Sequence, residues 1–439
     1  MLWQIKKVLT CHFPDLSIGL SNLKDPRTGI HYTIEEVVMA AIVLFLLKCD
    51  SRNDFNLKAK DEKFQRNYNR IFRLRSPHMD AVNEMFKQLE TQALEELRCR
   101  LINSLIDKRV FHSLRFFDKL FYVAIDGTGA YNWGDSPPED IQEHAIKKEY
   151  ESGKVSYSNQ IFEAVLVCSN GMSIPLMSEW IANDGQEYDK QDCELNAFKR
   201  LSVKLKEFFP RLNICILADG LYSNASTMDI CAQYGWKFIT VFKDGNLPSV
   251  WVEVNSLLPL DACNNKEQQL CDSTHWIKYK YRWIKNIEYQ DYSINWMECV
   301  RENEHRKTGE KTSNRFVFLT NIDINHSNIA SVIMAGRARW FIEDHFNTQK
   351  NRGGALHHKF NRNNFNAIKN WHSVRQLACM MIEFVKYTVE LQKILKDNSK
   401  MTLKELWQNI KSYLTMCCVD DTMTEFELWS RSPRQVRLE

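Results

Sequence analysis

The first third of the chain repeats apolar residues at helical spacing. "TIEEVVMAAIVLFLLKC" (33–49) opens with Thr33 and Glu36 at the separation of a capping box. "SPHMDAVNEMFKQLE" (76–90) starts another helix behind Ser76-Pro77. Residues 1–115 therefore read as an N-terminal helical domain. Beyond them the period shortens. "KLFYVAIDG" is an apolar β run ending in Asp126-Gly127, and residues 131–158 read as a polar loop. "NQIFEAVLVC" and "SIPLMSEWI" then flank Ser169-Asn170-Gly171-Met172, a strong hairpin signal. "YDKQDCELNAFKRLSVKLKEFFP" returns to helical spacing, with apolar residues at 195, 198, 201, 205 and 208. "NICILADG" is a short, wholly apolar run of the kind that fills a strand buried on both faces, and it ends at Asp219. A helix from Asn224 to Gly235 leads into the strand "WKFITVFK".

Three strands, helix, strand, helix, strand predicts a mixed five-stranded α/β sheet: an antiparallel meander with parallel strands added beside it. Residues 246–320 interrupt it with alternating, Trp- and Tyr-rich segments, "THWIKYKYRWIKNIEYQ", "SINWMECVRE" and "NRFVFLTNI", which read as a β-rich insertion. Helices follow: "RARWFIEDHFNTQKNRGG" (337–354), a long amphipathic one from Ile368 to Leu395, and one capped by Thr402 with Glu405 before a basic tail ending near Arg437. The predicted organisation is 1–115, N-terminal helical; 116–245, first part of a core; 246–320, insertion; 321–395, final core helices; and 396–439, a helical tail.

The 44% hydrophobic and 26% charged composition is that of an ordinary globular protein, and the longest apolar run, from Val37, is too short to span a bilayer. The thirteen cysteines include no Cys-x-x-Cys pair, and Cys417-Cys418 is no metal-ligand spacing. With no signal peptide visible, they read as reduced thiols of a cytoplasmic protein. Net charge is only +3, but it is unevenly distributed. Residues 58–75 carry seven bases against two acids, and residues 344–375 six bases against one. Such segregation is the footprint expected of phosphate contact, and equally of a solvated helix face.

Candidate chemistry centres on Glu343. At ~100° per residue, Glu343 lies ~40° and Lys350 ~20° round the helix from Arg339, so the three share a stripe. A surface Arg–Glu pair alone would be worth only a few tenths of a kcal/mol. Asp126 and Asp219, however, each end a predicted strand, the edge of an α/β sheet where ligands bind. Neighbouring carboxylates repel unless a cation lies between them, and Mg²⁺ takes such oxygen ligands. A third carboxylate from Glu343 would complete a site for two ions ~3.5–4 Å apart. His357 and His358 are placed to reach a phosphate. Trp251, Trp276, Trp283 and Trp296 suit either base stacking or a sheet core.

On these residues the chain resembles the DDE transposases of bacterial insertion sequences, of the insertion-sequence-four type. "AIDGTG" is similar to the first-Asp motif of that family, and "LADGLYSN" followed by "YGWKFITVFKDG" to its second-Asp region. Arg339, Glu343 and Lys350 match the spacing of its Y-x2-R-x3-E-x6-K signature, whose Tyr position falls on Gly336. The resemblance covers about residues 30–395. It implies a ribonuclease-H-like catalytic fold with flanking helices, a β-rich insertion and, over 1–115, an N-terminal helical domain that helps bind DNA. It also implies Asp126, Asp219 and Glu343 as a catalytic triad binding two Mg²⁺ ions, which Mn²⁺ can replace. Arg339 and Lys350 would contact DNA phosphates. The implied partners are double-stranded DNA, as terminal inverted repeats and target, and a second copy of the chain when DNA is bound, in the bacterial cytoplasm at the nucleoid. The implied chemistry is strand cleavage leaving a 3′-hydroxyl, then attack of that hydroxyl on target DNA. Two alternatives stay open: a ribonuclease-H-like nuclease that cuts without joining, and a catalytically silent, transposase-derived DNA-binding protein.

Overall fold

The computed structural model describes residues 2–181, 194–260, 263–397 and 402–416. Cys417, Cys418, the start of the "YDKQDC" helix and the basic tail near Arg437 lie outside the described residues. Seven helices come first: α1 (Leu2–His12), α2 (Leu16–Ser21), α3 (Ile34–Leu46), α4 (Arg52–Ala59), α5 (Glu62–Phe72), α6 (Met79–Gln88) and α7 (Ala93–Asp107). The capping box forms as read: the Thr33 hydroxyl accepts from the Glu36 amide at 3.2 Å, and the Glu36 carboxylate from the Thr33 amide at 2.9 Å. Together they satisfy two of the otherwise unpaired amides that open α3.

The sheet begins with β1 (Phe121–Gly134), then α8 (Glu139–Gln142), β2 (Ile146–Glu149), β3 (Val155–Val167) and β4 (Ser173–Ile181). α9 (Glu194–Phe208), β5 (Ile214–Ala218), α10 (Ala225–Tyr234) and β6 (Lys237–Val241) follow. The hairpin read at 169–172 joins β3 to β4, closed by the Cys168 amide on the Met172 carbonyl at 2.9 Å. Asn224 caps α10, and Gly235 ends it with φ +69°.

Residues 131–158 are only partly a loop. β1 and β3 extend into its two ends as an antiparallel pair, and between them the connection holds α8 and β2, which pairs with β3. Their apolar side chains find partners across the chain: Ala130, Tyr131 and Ile161 pack with Ile141, Leu356, Phe365 and Ile368. The Trp133 indole donates to Asn159 at 2.6 Å. Local polarity concealed a segment that is apolar on one face.

The insertion also differs from the reading. It starts with a helix, α11 (Pro248–Leu257), which holds Trp251, and it contains an unforeseen strand, β7 (Asn265–Cys271). β8 (His275–Tyr289), β9 (Tyr292–His305) and β10 (Lys311–Thr320) match the three expected segments. β10 pairs antiparallel with β6, so the insertion extends the core sheet. The described residues thus form one ten-stranded mixed sheet, in the order β2-β3-β1-β5-β6-β10-β9-β8-β7 with β4 also on β3. The five strands anticipated are its β4-β3-β1-β5-β6 part, where β1, β5 and β6 are mutually parallel and β3 is antiparallel to β1.

Alternation along β1 and β5 divides the core. Phe121, Val123, Ile125, Ile214 and Ile216 join the larger cluster, with α3, α6, α7 and α9. Tyr122, Ala124, Cys215 and Leu217 face the other way, under α12 (Ile329–Arg337) and α13 (Trp340–Asn351). The expected helix over 337–354 is therefore two helices, divided at Ala338 and Arg339.

The long helix from Ile368 divides as well, into α14 (Phe365–Lys386) and α15 (Val389–Asp397), while α16 (Leu403–Met416) has the anticipated Thr402–Glu405 cap. α14 is buried nearly all round and runs among α1, α3, α6, α7 and β4. Its asparagines act as caps for α6. The Asn370 amide donates to the Phe86 and Leu89 carbonyls at 2.9 and 2.8 Å, and Asn366 reinforces Leu89 at 2.8 Å. Replacing fully buried Asn370 with Ala removes both of its bonds, and a loss of about 1–3 kcal/mol is expected. Urea unfolding should show this as a lower midpoint at unchanged m-value; an unshifted midpoint contradicts the capping role.

Candidate functional site

β1 and β5 are parallel neighbours, with Ala124 opposite Leu217. Two residues further along stand Asp126 and Asp219; Asp219 follows the end of β5 as expected, but Asp126 does not close its strand, because β1 runs on to Gly134 against β3. Equal offsets put them level on backbones ~4.8 Å apart, and alternation aims both toward α13. Glu343 and Arg339 approach from that helix. The Arg339 guanidinium bridges the carboxylates, one amino group 2.5 Å from Glu343 and the other 3.4 Å from Asp126. Arg339 is almost wholly buried, and its Nε has no protein partner. Lys243 completes the arrangement, 3.9 Å from Asp219.

The electrostatics follow from this crowding. Burial is the main reason the Asp126 carboxyl titrates above its usual range. Arg339 opposes the rise, while the charges of Asp219 and Glu343 add to it. Among the described residues no three His, Cys, Asp or Glu side chains stand close enough to cage a metal as they are; a guanidinium lies between two of the acids. Asp219 also anchors its own turn, accepting from the Leu221 amide at 2.8 Å.

Asp126, Asp219, Arg339 and Glu343 therefore come together. Lys350 does not join them. It lies seven residues beyond Glu343 on α13, ~10 Å along the axis. His357 and His358 turn elsewhere: the first bonds the Ala130 carbonyl at 2.8 Å and the second packs against Phe360. Trp283 and Trp296 are core residues, and Trp251 stacks on Phe242. Trp276 is exposed, with the Arg306 guanidinium over its ring. In the second basic stretch Arg375 is fully buried on the Gly354 carbonyl. In the first, Arg75 pairs with Glu36, whereas Lys60, Lys63, Arg66 and Arg73 are exposed.

Sequence reasoning missed Glu194, in the first turn of α9. It accepts from the Tyr222 hydroxyl at 3.2 Å, and a Cβ on Gly127 would lie 2.2 Å from its carboxylate. Burial, then Asp126, raises its pKa. The only signal was an acid at the start of a helix following the hairpin, which many helices share. Also missed was the cleft of about 360 Å³ beside Arg339, whose walls include Lys243, Arg315, Arg337 and exposed Trp340.

Beside Asp126 on the same face of the sheet, Glu163 lies directly opposite it in the β1–β3 register and is wholly buried. His345 and Gln349 of α13 each approach it to 3.2 Å, and Gln376 of α14 to 2.6 Å. Burial pushes the Glu163 pKa up, but hydrogen bonding and charge from His345, with His372 and Gln349, outweigh it and leave the group lowered. This network joins α13 and α14 to β3 beside the stretch of β1 that carries Asp126.

Gly336 explains the departure from the Tyr signature. Its α12 turn presses on β6 and β10, where an added Cβ would meet Ile239 at 2.9 Å and Phe318 at 3.1 Å. Gly336→Ala should lose stability on balance, because about 1–3 kcal/mol of overpacking exceeds the roughly 1 kcal/mol gained in helix propensity. A raised urea midpoint would refute that close packing.

His372 supplies a pH prediction. Burial first, then nearby Arg375 and Arg98, lowers its pKa from 6.5 to about 3 although Glu163 opposes the shift. The unfolded chain then binds the extra proton between those values. The stability is full above pH ~6.5 and declines below it at up to ~1.4 kcal/mol per pH unit from this group. His372→Gln should flatten the fall in urea stability between pH 6.5 and 5; an unchanged slope rules the mechanism out. Neither protein-family models nor curated proteins give a match to this chain, so its functional reading rests on the geometry above and the sequence resemblance.

Proposed function

We propose that the chain is a DDE transposase of the insertion-sequence-four type, which cleaves DNA at element ends and joins the freed strand to target DNA. One observation carries this reading: Asp126 and Asp219 stand level just past the last paired residues of the parallel strands β1 and β5, and Arg339 links Asp126 to Glu343. The order β4-β3-β1-β5-β6, with β3 alone reversed among the five, supports a ribonuclease-H-like core.

The residues present fit divalent cations. The donors are all carboxylate oxygens, burial and secondarily the neighbouring acids raise the Asp126 pKa, and Arg339 already supplies positive charge between two of them. Asp126, Asp219 and Glu343 would hold Mg²⁺, with Mn²⁺ able to replace it. When bound, two ions supply Lewis-acid activation of the attacking oxygen and stabilisation of the leaving oxygen. The protein's own cations serve the DNA. Arg339, released from the carboxylates, and Lys350, along α13, hold backbone phosphates and offset charge developing at the reacting phosphorus. Lys243, Arg315 and Arg337 line the adjoining cleft, and exposed Lys60, Lys63, Arg66 and Arg73 extend positive charge to the N-terminal helices.

The reaction is phosphoryl transfer without a covalent protein intermediate. Hydrolysis breaks one P–O bond and leaves a 3′-hydroxyl. That hydroxyl then forms a new P–O bond in the target as the target's own 3′-oxygen departs. The partners are terminal inverted repeats, target DNA and a second copy of the chain, in the bacterial cytoplasm at the nucleoid. Among the described residues no helix is long and apolar enough to cross a membrane.

Glu343→Gln should abolish strand transfer with Mg²⁺ while binding to the cognate end stays within about twofold of wild type. Wild-type strand transfer by that variant would overturn the assignment. Cleavage without any joined product in the wild-type assay would instead select the nuclease reading. Lys350→Ala should weaken end binding uniformly and reduce the log–log salt slope by about one; an identical slope removes Lys350 from the phosphate path.

A further inference from the structure

A second charged feature lies away from the carboxylates, at the far end of α13. A cavity of about 410 Å³ opens where α3, α13, α14 and α16 end or cross. Five cations line it: Lys48, Arg352, Lys386, Lys404 and Lys411. Only two acids do, Asp50 and Glu383. Glu383 is already engaged, by Lys386 at 3.3 Å and by the Ser173 amide at 3.2 Å, and Arg352 pairs with Asp344 outside. Among the described residues no carboxylate lies within ion-pair distance of Lys48, Lys404 or Lys411.

The cavity is built rather than incidental. The Lys48 ammonium donates to the Arg352 carbonyl at 2.8 Å and stands over the Trp407 ring, 4.8 Å from its centroid. Lys411 in turn donates to the Lys48 carbonyl at 2.5 Å, and the Trp407 indole to the Leu46 carbonyl at 2.7 Å. These bonds fasten α16 to the end of α3 with like charges facing one space. Lys48 and Lys411 are half-buried and Lys404 is exposed, and like charges crowded on one space without a carboxylate partner favour an arriving anion. Burial, and secondarily Lys386 and Lys411, already lowers the Lys48 pKa to about 8.

We propose that this cavity binds a phosphoryl group, held by the unpaired ammonium groups of Lys48, Lys404 and Lys411. Lysines act as rotatable point charges that converge on a tetrahedral polyanion from separate helices. A single carboxylate would leave most of that charge unbalanced. Two sources offer the same chemistry: a DNA backbone continuing ~13 Å along α13 from Glu343, or a free phosphorylated small molecule. The site does not depend on the transposase reading.

The test uses the full chain and inorganic pyrophosphate, with no divalent metal. Calorimetry should show one saturable site. Mass-spectrometric footprinting with an acetylating reagent should show protection of Lys48, Lys404 and Lys411 but not of Lys243. Exposed Lys404→Glu, with an unchanged circular dichroism spectrum, should weaken binding at least about tenfold. Glu343→Gln should leave it unaltered, which separates this site from the carboxylates. A short DNA duplex that displaces pyrophosphate and protects the same lysines identifies backbone phosphate as the ligand. A duplex that leaves pyrophosphate in place identifies a free phosphorylated molecule. Absence of saturable binding, full-strength binding by Lys404→Glu, or protection confined to other lysines overturns the proposal.

Discussion

A buried guanidinium between two carboxylates is the constraint on which the rest of this structure turns. Arg339 has lost its water, so its charge is tolerated only because Asp126 and Glu343 surround it. Those acids arrive from different layers, one on β1 and one on α13. Holding them together fixes where α13 lies on the sheet. The helix break at Ala338–Arg339 and the tight seat of Gly336 on β6 and β10 both serve that placement.

The polar network beside the site uses the same logic at greater depth. Glu163 receives Gln349, Gln376 and His345, so its carboxylate keeps its hydrogen bonds despite complete burial. The site carboxylates are crowded and electrostatically opposed, whereas this one is saturated. The insertion has a comparable anchor: Glu298 on β9 is buried between Arg282 of β8 and Arg315 of β10, binding three strands that reach back to the core through β6.

The basic residues show that charge counts along a chain do not identify a surface. Arg375 lies in the second basic run yet is consumed inside, on the Gly354 carbonyl and beside two aromatic rings. Lys48 belongs to neither run yet faces a cavity whose other cations come from α13, α14 and α16. Which lysines are free to meet a ligand depends on where carbonyls and carboxylates of distant segments fall.

Much of this was legible in the residues alone. The caps at Thr33, Asn224 and Thr402, the hairpin at Ser169–Met172, the five core strands and the aspartate that follows β5 all depend on contacts a few residues long or on strict alternation. Arg339 and Glu343 share a helical face for the same reason. Other features depended on segments far apart in sequence. β1 and β3 extended into a stretch that looked like a loop because Leu356 and Ile368 bury its apolar face. β7 formed because β8 offered it an edge. Glu194 reached Asp126 only through packing against Gly127, and the basic cavity exists only where four helices meet. Local periodicity encodes which elements form, since each residue's neighbours decide it. Which side chains become partners is settled by burial, because desolvation makes an unpaired charge or amide costly only after the layers have closed.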